Sequence, residues 1–382
     1  MIRFLTAGES HGPALTTIVE GAPSGLPLDA EGLAEELARR RLGHGRGPRM
    51  RLERDEIEIL GGVRFGRTLG GPISVIIRNT EWERWSEEMS PGEGTSRRVL
   101  TSPRPGHADL PGMLKYQTHD ARDILERASA RETAARTVAG YTSKLLLAEI
   151  GVTVVSHVVQ IGDVQSSAGP PGPADLASID ASPVRCGDPS SEQSMVEAID
   201  AAKKARDTLG GVVEVIAYDV PAGIGSHVHW DRRLDTAIAA GLMSIQGIKG
   251  VEIGDGFESA ARHGSEAHDE IYPGGAAFER ETNRAGGIEG GISNGSMVRV
   301  RAAMKPISTL MRPLATVDVT TGEVSVAFRE RSDVCAVPAA GVVAEQMVAL
   351  ALAGEMQRVY GGDSVDAFVE ADAAHRRRLS DF

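Results

Sequence analysis

SARETAARTVAGYTSKLLLAEIGVTVVSHVVQI, residues 129–161, is the stretch from which the fold class is read. Ser129-Ala130-Arg131-Glu132 has the spacing of a capping box, in which Ser129 caps the Glu132 N–H while Glu132 reaches back. The alanine- and leucine-rich run behind it predicts a helix to about Glu149, and the β-branched run at 152–161 predicts a strand. Working outward, residues 2–7 and 14–20 alternate like strands around a Gly-Glu-Ser-His-Gly loop at 8–12. Asp29 can cap a helix over 30–42, and strands follow at 55–60 and 72–78. Downstream, helices are predicted at 193–207, 231–243 and 339–358, with strands at 211–219, 249–253, 296–304 and 316–329. These elements mix without strict βαβα alternation, which argues for α+β layers, helices against antiparallel sheets, rather than a doubly wound sheet.

The Pro/Ser/Gly-rich stretch at 165–192 reads as a surface excursion, and residues 361–382 as a polar C-terminal tail. Residues 79–103 form a long polar loop, a kind that is often functional or mobile.

Composition narrows the function classes. The chain has 382 residues, 41% of them hydrophobic and 4% aromatic, with a formal charge of −12. That acidic balance opposes nucleic-acid binding through bulk charge. No window approaches the ~18 uninterrupted apolar residues of a membrane span, and MIRFLTAGESHG does not read as a signal peptide. Two cysteines, Cys186 and Cys335, make no disulfide framework and fit a reducing cytoplasm.

Charge is nevertheless concentrated. Between Arg39 and Arg54 lie seven arginines and one acid, Glu53. A compact positive patch in an acidic chain focuses anions, and arginine suits carboxylates and phosphates. His11 and His107 each sit in a glycine-flanked loop, where a group titrating near neutrality can exchange protons. Neither has metal-ligand spacing. Lys305-Pro306-Ile307-Ser308-Thr309 ends a strand with an ammonium, two hydroxyls and backbone amides. Neither a G-x-G-x-x-G nor a Walker sequence is present.

Taken together, TAGESHG (6–12), RRRLGHGRGPRM (39–50), SPRPGHAD (102–109), LERASARET (125–133), IKGVEIG (248–254), TNRAGGIEGGISNG (282–295), MKPIST (304–309) and ERSDVCAVPAAGVVAE (330–345) resemble the chorismate synthase family. They run in family order over almost the whole chain. The resemblance implies a single-domain β-α-β sandwich over 1–360, with 165–192 an insertion, and a cytoplasmic homotetramer. It implies anti-1,4 elimination of phosphate from 5-enolpyruvylshikimate 3-phosphate, with reduced FMN that is not consumed.

The same resemblance assigns residues. Ser10, Arg49, Arg104 and Arg131 would hold substrate, whose two carboxylates and phosphate suit arginines. Arg40 and Arg46 match positions associated with NADP(H) or substrate. Arg127, Ala128, Ser129, Gln246, Gly247, Gly290, Lys305 to Thr309 and Arg331 match FMN positions, with Ala128 standing where Ser is commoner and Gly247 where Ala is. His11 would protonate the departing phosphate, His107 would stabilise anionic reduced flavin, and Asp333 would relay the C6 proton. The family leaves open whether the chain also reduces FMN with NADPH or receives it reduced.

Overall fold

The layering follows from where small and β-branched residues fall. In a computed structural model, which describes residues 1–47, 55–274, 278–330 and 332–382, strands β1 (Arg3–Ala7), β2 (Ala14–Glu20), β3 (Glu56–Gly61) and β4 (Ile73–Arg78) form an antiparallel sheet in the order β1-β2-β4-β3. A second antiparallel sheet contains β5 (Thr153–Ile161), β6 (Val164–Gln165), β7 (Gly211–Tyr218), β8 (Ile248–Ile253) and β9 (Val298–Met304), in the order β8-β9-β7-β5-β6. Strand alternation turns Leu15, Val19, Ile73, Val75 and Ile77 of the first sheet inward.

The longer helices are α1 (Ala30–Arg41), α2 (Asp109–Tyr116), α3 (Arg122–Ala128), α4 (Glu132–Ala148), α5 (Pro189–Ala205), α6 (Leu234–Met243), α7 (Val337–Tyr360) and α8 (Val365–Ser380). Helix α4 packs on β1 and β2, α7 packs on β5 and β7, and α4 and α7 pack on each other. The result is the expected β-α-β sandwich.

Two helices can be buried together only if their polar atoms are satisfied internally. In α4, Thr137, Thr142 and Ser143 donate to the carbonyls four residues back, at 3.0, 2.9 and 2.9 Å. Close approach needs small residues as well. A Cβ on Gly140 would lie 2.2 Å from Cβ of Gln346 on α7. Across the other interface, Thr17 of β2 donates to Ala135 O at 2.8 Å and pins the first sheet to α4.

Helix α1 has the cap read from its sequence: Asp29 Oδ1 accepts from the Gly32 amide at 2.8 Å. Asp29→Ala is expected to cost ~1 kcal/mol, read as a lower urea midpoint with unchanged slope.

The structure departs from the sequence reading at several places. The capping box does not form, because Ser129 Oγ accepts from the Arg131 amide at 3.2 Å. Glu132, buried, is committed to Thr6, Arg136 and Gln246 instead. The supposed polar tail is helix α8, started by a Ser364 cap, and its Phe368 is fully buried in the core. The 165–192 excursion returns inward, carrying Val184, Arg185 and Cys186 below the surface. The 24-residue α7 is long and apolar enough to cross a membrane by length and composition, yet 83% of its apolar window is packed inside the molecule. Glu345 and Gln346 interrupt its apolar run, and both find partners inside the sandwich.

Candidate active site

Gly8 makes the β1–β2 turn possible: its φ is +99°, and a Cβ there would meet Ala14 O at 2.2 Å. The turn delivers Ser10 and His11 to the wall of a cavity of about 480 Å³. The other walls come from distant stretches of chain. Arg40 and Arg46 arrive from the end of α1, and Arg104 and His107 from the approach to α2. Ala128, Ser129 and Arg131 occupy the α3–α4 junction, and Gln246 and Gly247 the start of β8. Lys305 to Thr309 follow β9, and Asp333 precedes α7. The N-termini of α4 and α7 border this space, which favours anions there.

His11 is buried and held by one carboxylate. Its ring Nδ1 lies 2.9 and 3.0 Å from the two oxygens of Glu126, and its amide donates to Glu126 Oε2 at 2.9 Å. Arg122 donates to the other Glu126 oxygen at 2.7 Å and to Glu330 at 3.1 Å. Burial pushes the Glu126 carboxyl up, but its His11 and Arg122 partners outweigh that and hold it below the usual carboxylate range. Trp85 covers the imidazole with ring centroids 4.2 Å apart, and Arg122 stacks on the indole at 4.8 Å.

His107 belongs to a second buried set. Asp109, fully buried, takes two hydrogen bonds from the Arg104 guanidinium at 2.8 and 3.1 Å and closely contacts His107 Nδ1. Burial raises the Asp109 carboxyl, while His107 and Arg104 lower it further, leaving it at about 2. An ionised Asp109 needs a donor, so Nδ1 carries the proton and the 3.0 Å approach of Arg104 Nη2 to Nδ1 is a contact between two donors. Arg104 Nη1 donates to Thr309 Oγ1 at 2.7 Å.

Several arginines expected to clamp substrate are therefore already engaged. Arg104 spends its fork on Asp109, and Arg131 is held by Asp55 and by Asn79, the latter at 3.0 Å. Arg46 Nη1 donates to Asp333 at 2.5 Å, whose other oxygen accepts the Gly47 amide at 2.6 Å. Arg46 Nε and Gln246 Oε1 are buried and have no hydrogen-bond partner among the described residues. Lys305 donates to Gly106 O. Burial lowers its ammonium's affinity for the proton, and nearby Lys249 adds to this.

Two expected site residues stand elsewhere. Arg127 is exposed and donates to Thr6 O and Gly8 O at 2.8 and 3.2 Å, bracing the turn that carries His11. Gly290 is the exposed bend of a small hairpin, Ile288–Glu289 with Ile292–Ser293. Arg49 and Arg331 lie outside the described residues. The sequence reading missed Glu126, Asp109, Trp85 and Arg122. Asp109 could have been found two residues after His107, and Glu126 one helical turn after Arg122. Among the described residues, no cluster of His, Cys, Asp and Glu could hold a metal ion.

Comparison with known proteins points to one family. The chorismate synthase family model matches residues 2–356. A chorismate synthase of Parafrankia sp. (strain EAN1pec) is 59% identical over 378 residues, covering 96% of each chain. One from Salinispora tropica is 59% identical over 375 residues, with the same coverage. A crystal structure of chorismate synthase superposes with a TM-score of 0.80 at 41% identity, covering 100% of this chain and 99% of the other.

Proposed function

The chain belongs to the chorismate synthase family, carbon–oxygen lyases of aromatic amino-acid biosynthesis, and from that premise we propose that its cavity eliminates phosphate from 5-enolpyruvylshikimate 3-phosphate with reduced FMN bound alongside. The observation that carries this reading is the pairing of two histidines, each fixed by a buried carboxylate, with a cation-rich wall. The cavity volume is within the ~300–1,000 Å³ usual for ligand sites.

The residues fit a flavin mononucleotide. Lys305, Ser308 and Thr309 offer a cation and hydroxyls for its phosphate. Met304, Ile307 and Leu125 offer apolar surface for its ring system, and buried Gln246 Oε1 offers an acceptor for a ring N–H. Bound reduced FMN supplies a transient loan of electron density and a destination for the C6 hydrogen, with no net oxidation.

The chain's own groups do the rest. His11, whose Nδ1 is held by Glu126, gives a proton from Nε2 to the departing phosphate oxygen. His107, with its Nδ1 proton fixed by Asp109, would serve the flavin with its other edge. Asp333 has both oxygens engaged by Arg46 and Gly47, so a proton relay through it requires Arg46 to move to the arriving ligand. Arg46, whose Nε is buried without a partner among the described residues, and Arg40, which lines the cavity, are cations suited to substrate anions. The enzyme works as a cytoplasmic homotetramer in this reading, and the exposed Leu5, Ile18 and Leu60 of the first sheet are suited to contact a second copy.

The test is an anaerobic assay with chemically reduced FMN, the enolpyruvyl substrate and no NADPH. Stoichiometric phosphate and chorismate are expected. Absence of product from folded enzyme that binds reduced FMN rejects the reading, and turnover when oxidised FMN and NADPH replace the reduced flavin assigns flavin reduction to the chain itself.

A further inference from the structure

Glu126 is nine-tenths buried or more, yet it is not left to one partner. It receives the His11 amide, His11 Nδ1, and Arg122. Its own backbone carbonyl also accepts the Ser10 amide at 3.0 Å. One residue thus fixes both the main chain and the ring of the Ser10-His11 turn. The two contacts to Nδ1 leave the ring a single orientation, with Nε2 as the nitrogen that meets ligand. Trp85 closes the ring's face.

We propose that Glu126 is a positioning residue: it orients His11, and its charge, divided with Arg122, sets the balance between the imidazolium and the neutral ring. Charged groups reach this neighbourhood from every side. Helix α3 contributes Glu126 and Arg122, and Glu330 balances Arg122 from the approach to α7. Arg98 lies 5.6 Å over Trp85 from the 79–103 loop. The turn itself carries Glu9, and the cations Arg40, Arg46 and Arg131 share the cavity with Asp333. Glu126 places a carboxylate in hydrogen-bond contact with His11. Since Arg122 draws on the same carboxylate, removing Glu126 and removing Arg122 act in opposite directions on the imidazolium.

This inference rests on the reading of His11 as the acid, and its test separates the two. An imidazolium stacked on Trp85 quenches the indole, so the pH transition in tryptophan emission that is lost in His11→Gln reports the state of His11 without any turnover. In Glu126→Gln that transition is expected about one pH unit or more lower, with Arg122→Leu moving it upward. The alkaline limb of kcat should follow the emission transition in each variant, with KM for the enolpyruvyl substrate little changed. Glu126→Asp should restore part of the shift. An emission transition unmoved by Glu126→Gln, or moved the same way by both substitutions, overturns the assignment of Glu126. If the emission transition shifts as expected while the kcat limb stays fixed, Glu126 positions His11 and the acid role of His11 is what fails. Should Glu126→Gln not fold, Arg122→Leu and Glu126→Asp carry the same comparison.

Discussion

Replacing Glu345 by Gln is expected to lower the stability of the fold by about 3–5 kcal/mol, the usual cost of leaving buried charges unpaired. Glu345 is fully buried in α7, where it accepts from Arg39 at 2.7 and 3.1 Å, from Lys144 at 2.5 Å and from Ser156 at 2.9 Å. Arg185 lies 3.8 Å away. Three cations then share three acids, the others being Glu36 and Asp180. The substitution keeps the shape and leaves Arg39, Lys144 and Arg185 with one carboxylate too few. The pH dependence has a definite sign. Burial raises the Glu345 carboxyl, but Lys144, Arg39 and Arg185 outweigh it and hold it low. A carboxyl depressed on folding stabilises above its unfolded value, ~4.3, and that stabilisation is lost as pH falls through the folded one. Urea midpoints of wild type and Glu345→Gln should therefore differ at pH 7 and converge toward acid. A difference below ~1 kcal/mol at pH 7 would mean that water or local repacking compensates the cations. Activity should fall too, because Arg39 precedes Arg40 on the last turn of α1, which lines the cavity.

That network also explains what the sequence reveals and what it hides. Strand alternation in β1 to β4, the Asp29 cap and the interior character of α4 are local properties, so the layers can be read residue by residue. The glycine-flanked histidines and the KPIST segment are local as well, and the structure brings them to one cavity. What stays hidden depends on partners far apart in sequence. Glu126 meets His11 across 115 positions, and Glu345 meets Arg39 across 306. A Pro/Ser/Gly-rich segment such as 165–192 reads as surface because its composition is polar, yet Arg185 is drawn under by charges that composition does not show. Ser129 fails as a cap for a similar reason, since Glu132 gains more from Arg136, Gln246 and Thr6 than from reaching back.

His11→Ala should lose ~10²–10⁴-fold in kcat while still binding reduced FMN and substrate, the range typical of a missing general acid. The argument is one of access and partner. His11 lines the cavity, Glu126 occupies its Nδ1, and Trp85 covers its face, so the remaining nitrogen is the group positioned to meet a leaving oxygen. Phosphate leaving as a highly charged anion is slow without a proton. His107→Ala should behave differently. Its partner Asp109 keeps both hydrogen bonds from Arg104, so the wall survives and only a smaller loss of rate is expected. Instead, the spectrum or affinity of bound reduced flavin should change. Anaerobic titration of reduced FMN into both variants, followed by single-turnover phosphate release, separates the roles. Wild-type phosphate release from His11→Ala would remove His11 from the leaving-group step. An unaltered flavin spectrum and affinity in His107→Ala would place His107 away from the flavin, with the Arg104–Asp109 pair then explained by wall stability alone.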